Sequence, residues 1–257
     1  MDLGLKGRTA LVTGGSRGIG LGTALTLAAE GCNVHLASRD AKVLEAARRR
    51  ITDVHDVEVT CHAMDLASSE NIRKLAQACL HVDILVNNAG AIPQGRITAV
   101  DEKTWRESWD LKVFGFINLI REIYPSMCER RHGVIVNVIG GAGERVDANY
   151  IAGTMGNASL IAMTRALGSE SPAWGVRVVG VNPGGTETDR QVVRWQARAE
   201  KELGSKDRWR ELTTGNPFGR LATVDEVANM VVFLCSDLSS YTTGTVVSVD
   251  GGASWRK

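Results

Sequence analysis

The feature that most constrains this chain is a glycine-rich turn, Thr13-Gly14-Gly15-Ser16-Arg17-Gly18-Ile19-Gly20, set between an apolar run at 8–13 and a helical pattern. Glycine lets backbone approach a ligand closely, and at a strand-to-helix junction the exposed N–H groups and the positive end of the helix dipole meet a pyrophosphate. Such a turn needs a sheet to rise from. Apolar runs rich in Val, Ile and Ala recur at 32–38, 57–62, 82–87, 133–139, 176–182 and 245–249, with helix-length segments between them. Strand alternating with helix, and near-continuous apolar strands such as Val134-Ile135-Val136-Asn137-Val138-Ile139, fit a parallel sheet covered on both faces. The expected fold is a doubly wound α/β sheet of about seven strands in a single domain over 1–257. One stretch departs in composition: 187–215 is charge-rich and carries Trp195 and Trp209, and reads as a helical excursion forming a substrate lid.

Composition excludes several other roles. With 30 Lys plus Arg against 29 Asp plus Glu, the 257-residue chain has a net charge of +1 and no global field for nucleic acid or an anionic membrane. The first residues lack a basic stretch followed by an apolar one, so neither export nor membrane insertion is expected. Cys32, Cys61, Cys79, Cys128 and Cys235 are odd in number and contain no Cys-x-x-Cys, which fits a reducing cytoplasm better than a disulfide framework. His35, His55, His62, His81 and His132 include no i, i+4 pair and are not expected to cluster with cysteine, so no metal site is expected.

The Gly-x-x-x-Gly-x-Gly spacing, Asp65-Leu66 after the third strand, Asn87-Asn88-Ala89-Gly90 after the fourth, Asn182-Pro183-Gly184-Gly185-Thr186-Glu187-Thr188 after the sixth and Asp250-Gly251-Gly252 near the end resemble the short-chain dehydrogenase/reductase family over nearly the whole chain. That resemblance implies a Rossmann-type sheet, a nicotinamide cofactor and a small-molecule substrate. It places Gly14, Ser16, Arg17, Ile19 and Gly20 on the pyrophosphate, Asp65 and Leu66 beside the adenine, Asn87, Ala89 and Gly90 along the cofactor, and Pro183, Gly184, Thr186 and Thr188 at the nicotinamide end. The second strand ends Ser38-Arg39-Asp40, where an NAD-binding member usually carries an acid for the ribose hydroxyls. Arg39 and Arg17 offer two guanidinium groups to a 2′-phosphate, so NADP(H) is favoured over NAD, although Asp40 stands adjacent.

The family's chemistry uses an Asn, a Ser and a Tyr-x-x-x-Lys pair, and the sequence departs at each. Lys112 stands at the asparagine position, Gly140 at the serine, Gly153 at the tyrosine and Asn157 at the lysine. Tyr150 lies one turn earlier, with Thr154 four residues on. Two readings remain open. In one, the Tyr150 phenol leans across the space that Gly153 leaves, Lys112 supplies an ammonium that lowers its pKa, Asn157 positions a ribose or water, and Gly140 leaves room for substrate. In the other, Lys112 is a solvated helix residue and Tyr150 a packing residue. The functional expectation is an oxidoreductase moving hydride between nicotinamide and a hydroxyl or carbonyl compound through a variant site. A lyase, dehalogenase or isomerase on the same scaffold, and a cofactor-binding regulator without turnover, are the alternatives.

Near the pocket, Glu144, Arg145, Asp147 and Asn149 border the fifth-strand loop, with Asp147 expected as a helix N-cap. Arg190, Arg194 and Arg198 share a helix face, either solvated or turned toward an anionic substrate. Apolar residues Val113, Phe114, Ile117, Leu160 and Met163, with the family's usual pairing, point to a homotetramer.

Overall fold

In the computed structural model, which describes residues 2–256, seven parallel strands run in the order β3-β2-β1-β4-β5-β6-β7. They are β1 (Thr9–Thr13), β2 (Asn33–Ser38), β3 (Val59–Ala63), β4 (Ile84–Asn87), β5 (Gly133–Val138), β6 (Val176–Pro183) and β7 (Val246–Val249), each within the apolar runs expected of it or one residue beyond. Between them lie α1 (Gly18–Ala29), α2 (Ala41–Thr52), α3 (Ser69–Ala78), α4 (Glu102–Trp109), α5 (Gly115–Arg130), α6 (Ile151–Glu170), α7 (Asp189–Leu203) and α8 (Val224–Cys235). The chain leaves β1 to build one wing through β2 and β3, then returns to β1's other side with β4. The order reverses there, and the crevice at the carboxyl ends of β1 and β4 is where such a sheet takes its ligand.

Strand side chains alternate between two apolar layers. Val12, Val34, Leu36, Val86 and Val136 pack toward α1, α2 and α8, while Leu11, Ala37, Leu85 and Ile135 pack toward α3 and α5. A parallel sheet sealed on both faces has to carry this continuous apolar character, which is why its strands were legible as runs. In the 187–215 stretch, α7 and a tight turn at Lys206–Thr213 pack around Ala199, Trp209 and Leu221. Among the described residues no helix is long and apolar enough to cross a membrane.

Two expectations need correction. Val113 and Leu160 are buried in the chain's own core, whereas Phe114 is 47% exposed, so only part of the proposed contact surface faces outward. The statement that histidine and cysteine do not cluster is also overturned. Ala37 pairs with His62 across β2 and β3, which puts His35 and His62 on one face as diagonal neighbours, and the C-terminal end of α3 brings Cys79 over both. Residues 27 and 44 apart in sequence meet there because parallel strands carry a period of two across neighbouring crossovers.

Candidate cofactor and catalytic site

The glycine turn is fixed by the end of β4. Thr13 Oγ1 accepts the backbone N–H groups of Asn88 (2.9 Å) and Ala89 (3.1 Å), and Asn88 Nδ2 donates to the carbonyls of Thr13 (3.0 Å) and Gly14 (3.3 Å). These contacts leave no room for side chains: a Cβ at 14 would lie 2.9 Å from Asn88 Nδ2, and one at 20 would lie 2.3 Å from the Gly14 carbonyl oxygen. Helix α1 then begins without a capping side chain and without an acid in its first turn, whereas α2, α3, α4, α7 and α8 are capped by Asp40, Ser68, Asp101, Thr188 and Thr223. The first-turn N–H groups of α1 are therefore left for an anion.

A cavity of about 370 Å³ opens beside this turn, lined among others by Gly14, Ser16, Arg17, Ser38, Arg39, Leu66, Ala89 and Gly90. Eight of the sequence-derived cofactor residues thus meet in one space. Arg17 and Arg39 are exposed, and their guanidinium groups have no hydrogen-bond or ion-pair partner among the described residues. Asp40 does not compete for a ribose, because its carboxylate accepts the N–H groups of Lys42 and Val43 as the cap of α2. Ser38 Oγ and Asn87 Oδ1 are buried without partners, as acceptors or donors waiting for a ligand would be. The residues present therefore fit a dinucleotide cofactor.

Not every expected residue lines that space. Asp65 is exposed and holds the turn before α3, accepting the Ala67 N–H and, through its carbonyl, the Asn71 amide. Ile19 and Gly20 sit in the first turn of α1 behind the loop. Pro183, Gly184, Thr186 and Thr188 lie at the end of β6, where Thr186 Oγ1 donates to the Gly184 carbonyl and the Thr188 methyl would lie 3.2 Å from a Cβ at 18. That segment reaches the glycine loop from the opposite side.

At the ends of β4 and β5, Lys112 is carried by a π turn, Asp110–Phe114, between α4 and α5. Such a turn re-aims a side chain from its helical track. The Lys112 stem lies on Gly90, where a Cβ would fall 2.6 Å from its Cδ, and Nζ donates to the Ile139 carbonyl at 2.5 Å. Burial, with the nearby Arg190 charge, pushes its pKa down to about 8. Lys112 is thus not a solvated helix residue. Asn157 is buried, its Nδ2 3.0 Å from where a Cβ at 140 would stand and its Oδ1 unpartnered. The space at Gly140 is bounded by this amide rather than left open for a bulky substrate.

Tyr150 immediately precedes α6, its backbone held by the loop at Gly95, whose N–H bonds the Asn149 carbonyl at 2.7 Å. Its ring covers Gly153 so closely that a Cβ there would lie 2.0 Å from Cζ. The phenol occupies the space of the missing side chain. Burial raises its pKa, while Arg190 and Arg194 pull it down. Lys112 is not among the charges acting on it, which corrects the expectation that this ammonium tunes the phenol. Asp147 is not the α6 cap either; its carboxylate accepts from Asn149, and its backbone exchanges hydrogen bonds with Thr154 Oγ1. Glu144 is drawn off by Arg165 and Ser248.

Asn88 and Asn137 carried no expected role, and Arg190 was expected either on a solvated helix face or turned toward an anionic substrate. Arg190 donates to the Gly90 carbonyl and borders the cofactor cavity, whereas Arg198 on the same face is engaged by Glu202. Asn137, buried, accepts from Asn87 and donates to Thr164, tying β4 to α6. The available signal for both asparagines was a polar side chain at the end of an otherwise apolar strand.

Residues 14–254 match the enoyl-(acyl carrier protein) reductase family model. The chain is 33% identical to 3-oxoacyl-[acyl-carrier-protein] reductase of Aquifex aeolicus, with 98% of this chain and 99% of that protein covered. It is 32% identical to 2-keto-3-deoxy-L-fuconate dehydrogenase of Xanthomonas campestris, over 96% of this chain and 80% of that one. Among solved structures, L-sorbose reductase from Gluconobacter frateurii, complexed with NADPH and L-sorbose, superposes with a TM-score of 0.93 at 29% identity, all of both chains being covered.

The depressed pKa of Lys112 has a measurable consequence. Folded, the ammonium releases its proton near 8; unfolded, near the ordinary lysine value of about 10.4. Between those values the unfolded chain holds the extra proton, so this group's contribution to stability rises with pH. Urea unfolding of wild type and Lys112→Met from pH 7 to 10 is expected to show wild type gaining on the variant across that window. A difference independent of pH would contradict the burial of the charge.

Proposed function

The chain belongs to the short-chain dehydrogenase/reductase family of oxidoreductases, and from that premise we propose that it is an NADP(H)-dependent enzyme moving hydride between the nicotinamide and a hydroxyl or carbonyl carbon, with Tyr150 as its proton donor. The observation that carries this reading is the Tyr150 ring lying in the side-chain space of Gly153. The bound nicotinamide supplies the hydride chemistry. The glycine turn and the open first turn of α1 would hold the pyrophosphate, Arg17 and Arg39 the 2′-phosphate, and the segment from Pro183 to Thr188 the nicotinamide end.

The chain's own groups then have distinct tasks. The Tyr150 phenol gives its proton to the substrate oxygen in reduction and takes it back in oxidation. Arg190 and Arg194 offset the burial that would otherwise hold that proton too tightly. Lys112 sets a positive charge behind Gly90, favouring the anionic cofactor and a substrate oxygen gaining negative charge. Asn157 Oδ1, buried and unpartnered, accepts a hydrogen bond from a water or substrate hydroxyl. The α7 excursion closes over the substrate as a lid, since it brings Arg190 to the mouth. Exposed Phe114 and Met155, on the π turn and α6, are covered by further copies of the chain in a homotetramer.

Tyr150→Phe is expected to lower turnover of a ketone, aldehyde or quinone with NADPH by about 10²–10⁴-fold while leaving NADPH affinity near wild type. Full activity in that variant would move the proton source elsewhere; tight NADPH binding with no turnover of any such compound would favour a regulator. Arg39→Ala is expected to narrow the preference for NADPH over NADH by about 10- to 100-fold in fluorescence titrations, the effect of one charge-assisted contact. An unchanged ratio would exclude the arginine as the phosphate reader. Light scattering at micromolar concentration is expected to give four times the chain mass, and a monomer would reject the assembly.

A further inference from the structure

Away from the cofactor crevice, on the face of the sheet that packs against α3, three groups capable of binding a metal converge. His35 Nδ1 and His62 Nε2 are 2.9 Å apart, and Cys79 Sγ lies 3.6 Å from the first and 3.8 Å from the second. The two imidazole rings are within 12° of parallel with centroids 5.2 Å apart, so the two nitrogens face one another beside the sulfur. Tetrahedral zinc with Zn–N of about 2.05 Å and Zn–S of about 2.3 Å separates two nitrogens by about 3.4 Å and a nitrogen from a sulfur by about 3.6 Å. The sulfur distances already match, and the nitrogens need to part by about half an ångström and turn from facing each other toward a common point. We infer that His35, His62 and Cys79 form a zinc site clipping the edge strand β3 to β2 and to the end of α3.

Several features support this assignment independently. Cys79 is wholly buried and the histidines are half-buried, an unusual concentration of reactive side chains where Leu75, Ala76 and Val82 otherwise make an apolar layer. On binding, the Cys79 S–H bond breaks, the Zn–S bond forms and one proton leaves to solvent, with no change of oxidation state. A fourth position falls to water or to exposed His81, whose ring centroid is 5.3 Å from that of His35. Thiolate and imidazole together select zinc over magnesium or calcium. The clip also has a mechanical logic, because β3 is an edge strand with only β2 as neighbour.

The full chain, purified with zinc and dialysed against metal-free buffer, should retain one zinc per chain by elemental analysis. Cobalt substitution should give a thiolate-to-cobalt charge-transfer band in the near ultraviolet and tetrahedral d–d bands in the visible. Cys79→Ser should abolish the charge-transfer band and weaken zinc by at least about 100-fold, and His62→Ala should weaken it comparably, whereas Cys128→Ser and His55→Ala should change neither. Zinc at a free concentration of about 100 times its Kd should raise the wild-type unfolding midpoint by about 5–10 °C. Less than about one zinc per ten chains with no cobalt charge transfer, or wild-type affinity in Cys79→Ser, would overturn the site and leave His35 and His62 as a neutral hydrogen-bonded pair. The wild-type cobalt spectrum decides the matter even where a variant fails to fold.

Discussion

The close approach of two backbones, where the end of β1 meets the end of β4, is the constraint on which the rest of the site depends. Thr13 and Asn88 together make five hydrogen bonds across that junction, and the glycines at 14 and 20 are what allow the strands, loop and helix to sit so near. Any side chain at either position would push the loop off the asparagine. The consequence reaches outward in both directions. On one side it leaves the first turn of α1 uncapped and ready for phosphate; on the other it sets Ala89 and Gly90 as a floor against which Lys112 lies.

Charge in the pocket is distributed differently from what a reading of isolated motifs gives. Lys112 is committed to the Ile139 carbonyl and to the back of Gly90, and it is not among the charges that shift the phenol. The cations that act on Tyr150 come from α7, outside the sheet altogether. Proton affinity at the phenol is thereby linked to the position of the excursion that carries Arg190 and Arg194. Movement of α7 would change the charges that act on that phenol.

The fold was legible because a sheet sealed on both faces forces runs of apolar residues, and because glycine at a strand-to-helix turn has few other uses. That its residues would meet beside the glycine turn was legible for the same reason: they follow strand ends, and strand ends could be located. Side-chain reach was not legible. That Lys112 turns inward depends on a π turn with no obvious sequence marker, and that Asp147 leaves the helix start uncapped depends on Thr154 answering it from the next turn. The His35, His62 and Cys79 cluster depends on strand register, which spacing along a single chain does not report. The Tyr150 ring was the exception, since a tyrosine one turn ahead of a glycine has a vacant volume to fill.

Whether that volume is the working position of the acid is best measured by filling it. In Gly153→Ala the new methyl would fall about 2.0 Å from the phenol ring, so the ring has to leave. The account predicts that carbonyl reduction with NADPH falls about as far as it does without the hydroxyl, that NADPH affinity is kept, and that the Tyr150→Phe change adds no further loss in the Gly153→Ala background. Full activity in Gly153→Ala, in a protein that folds and binds NADPH normally, would contradict it.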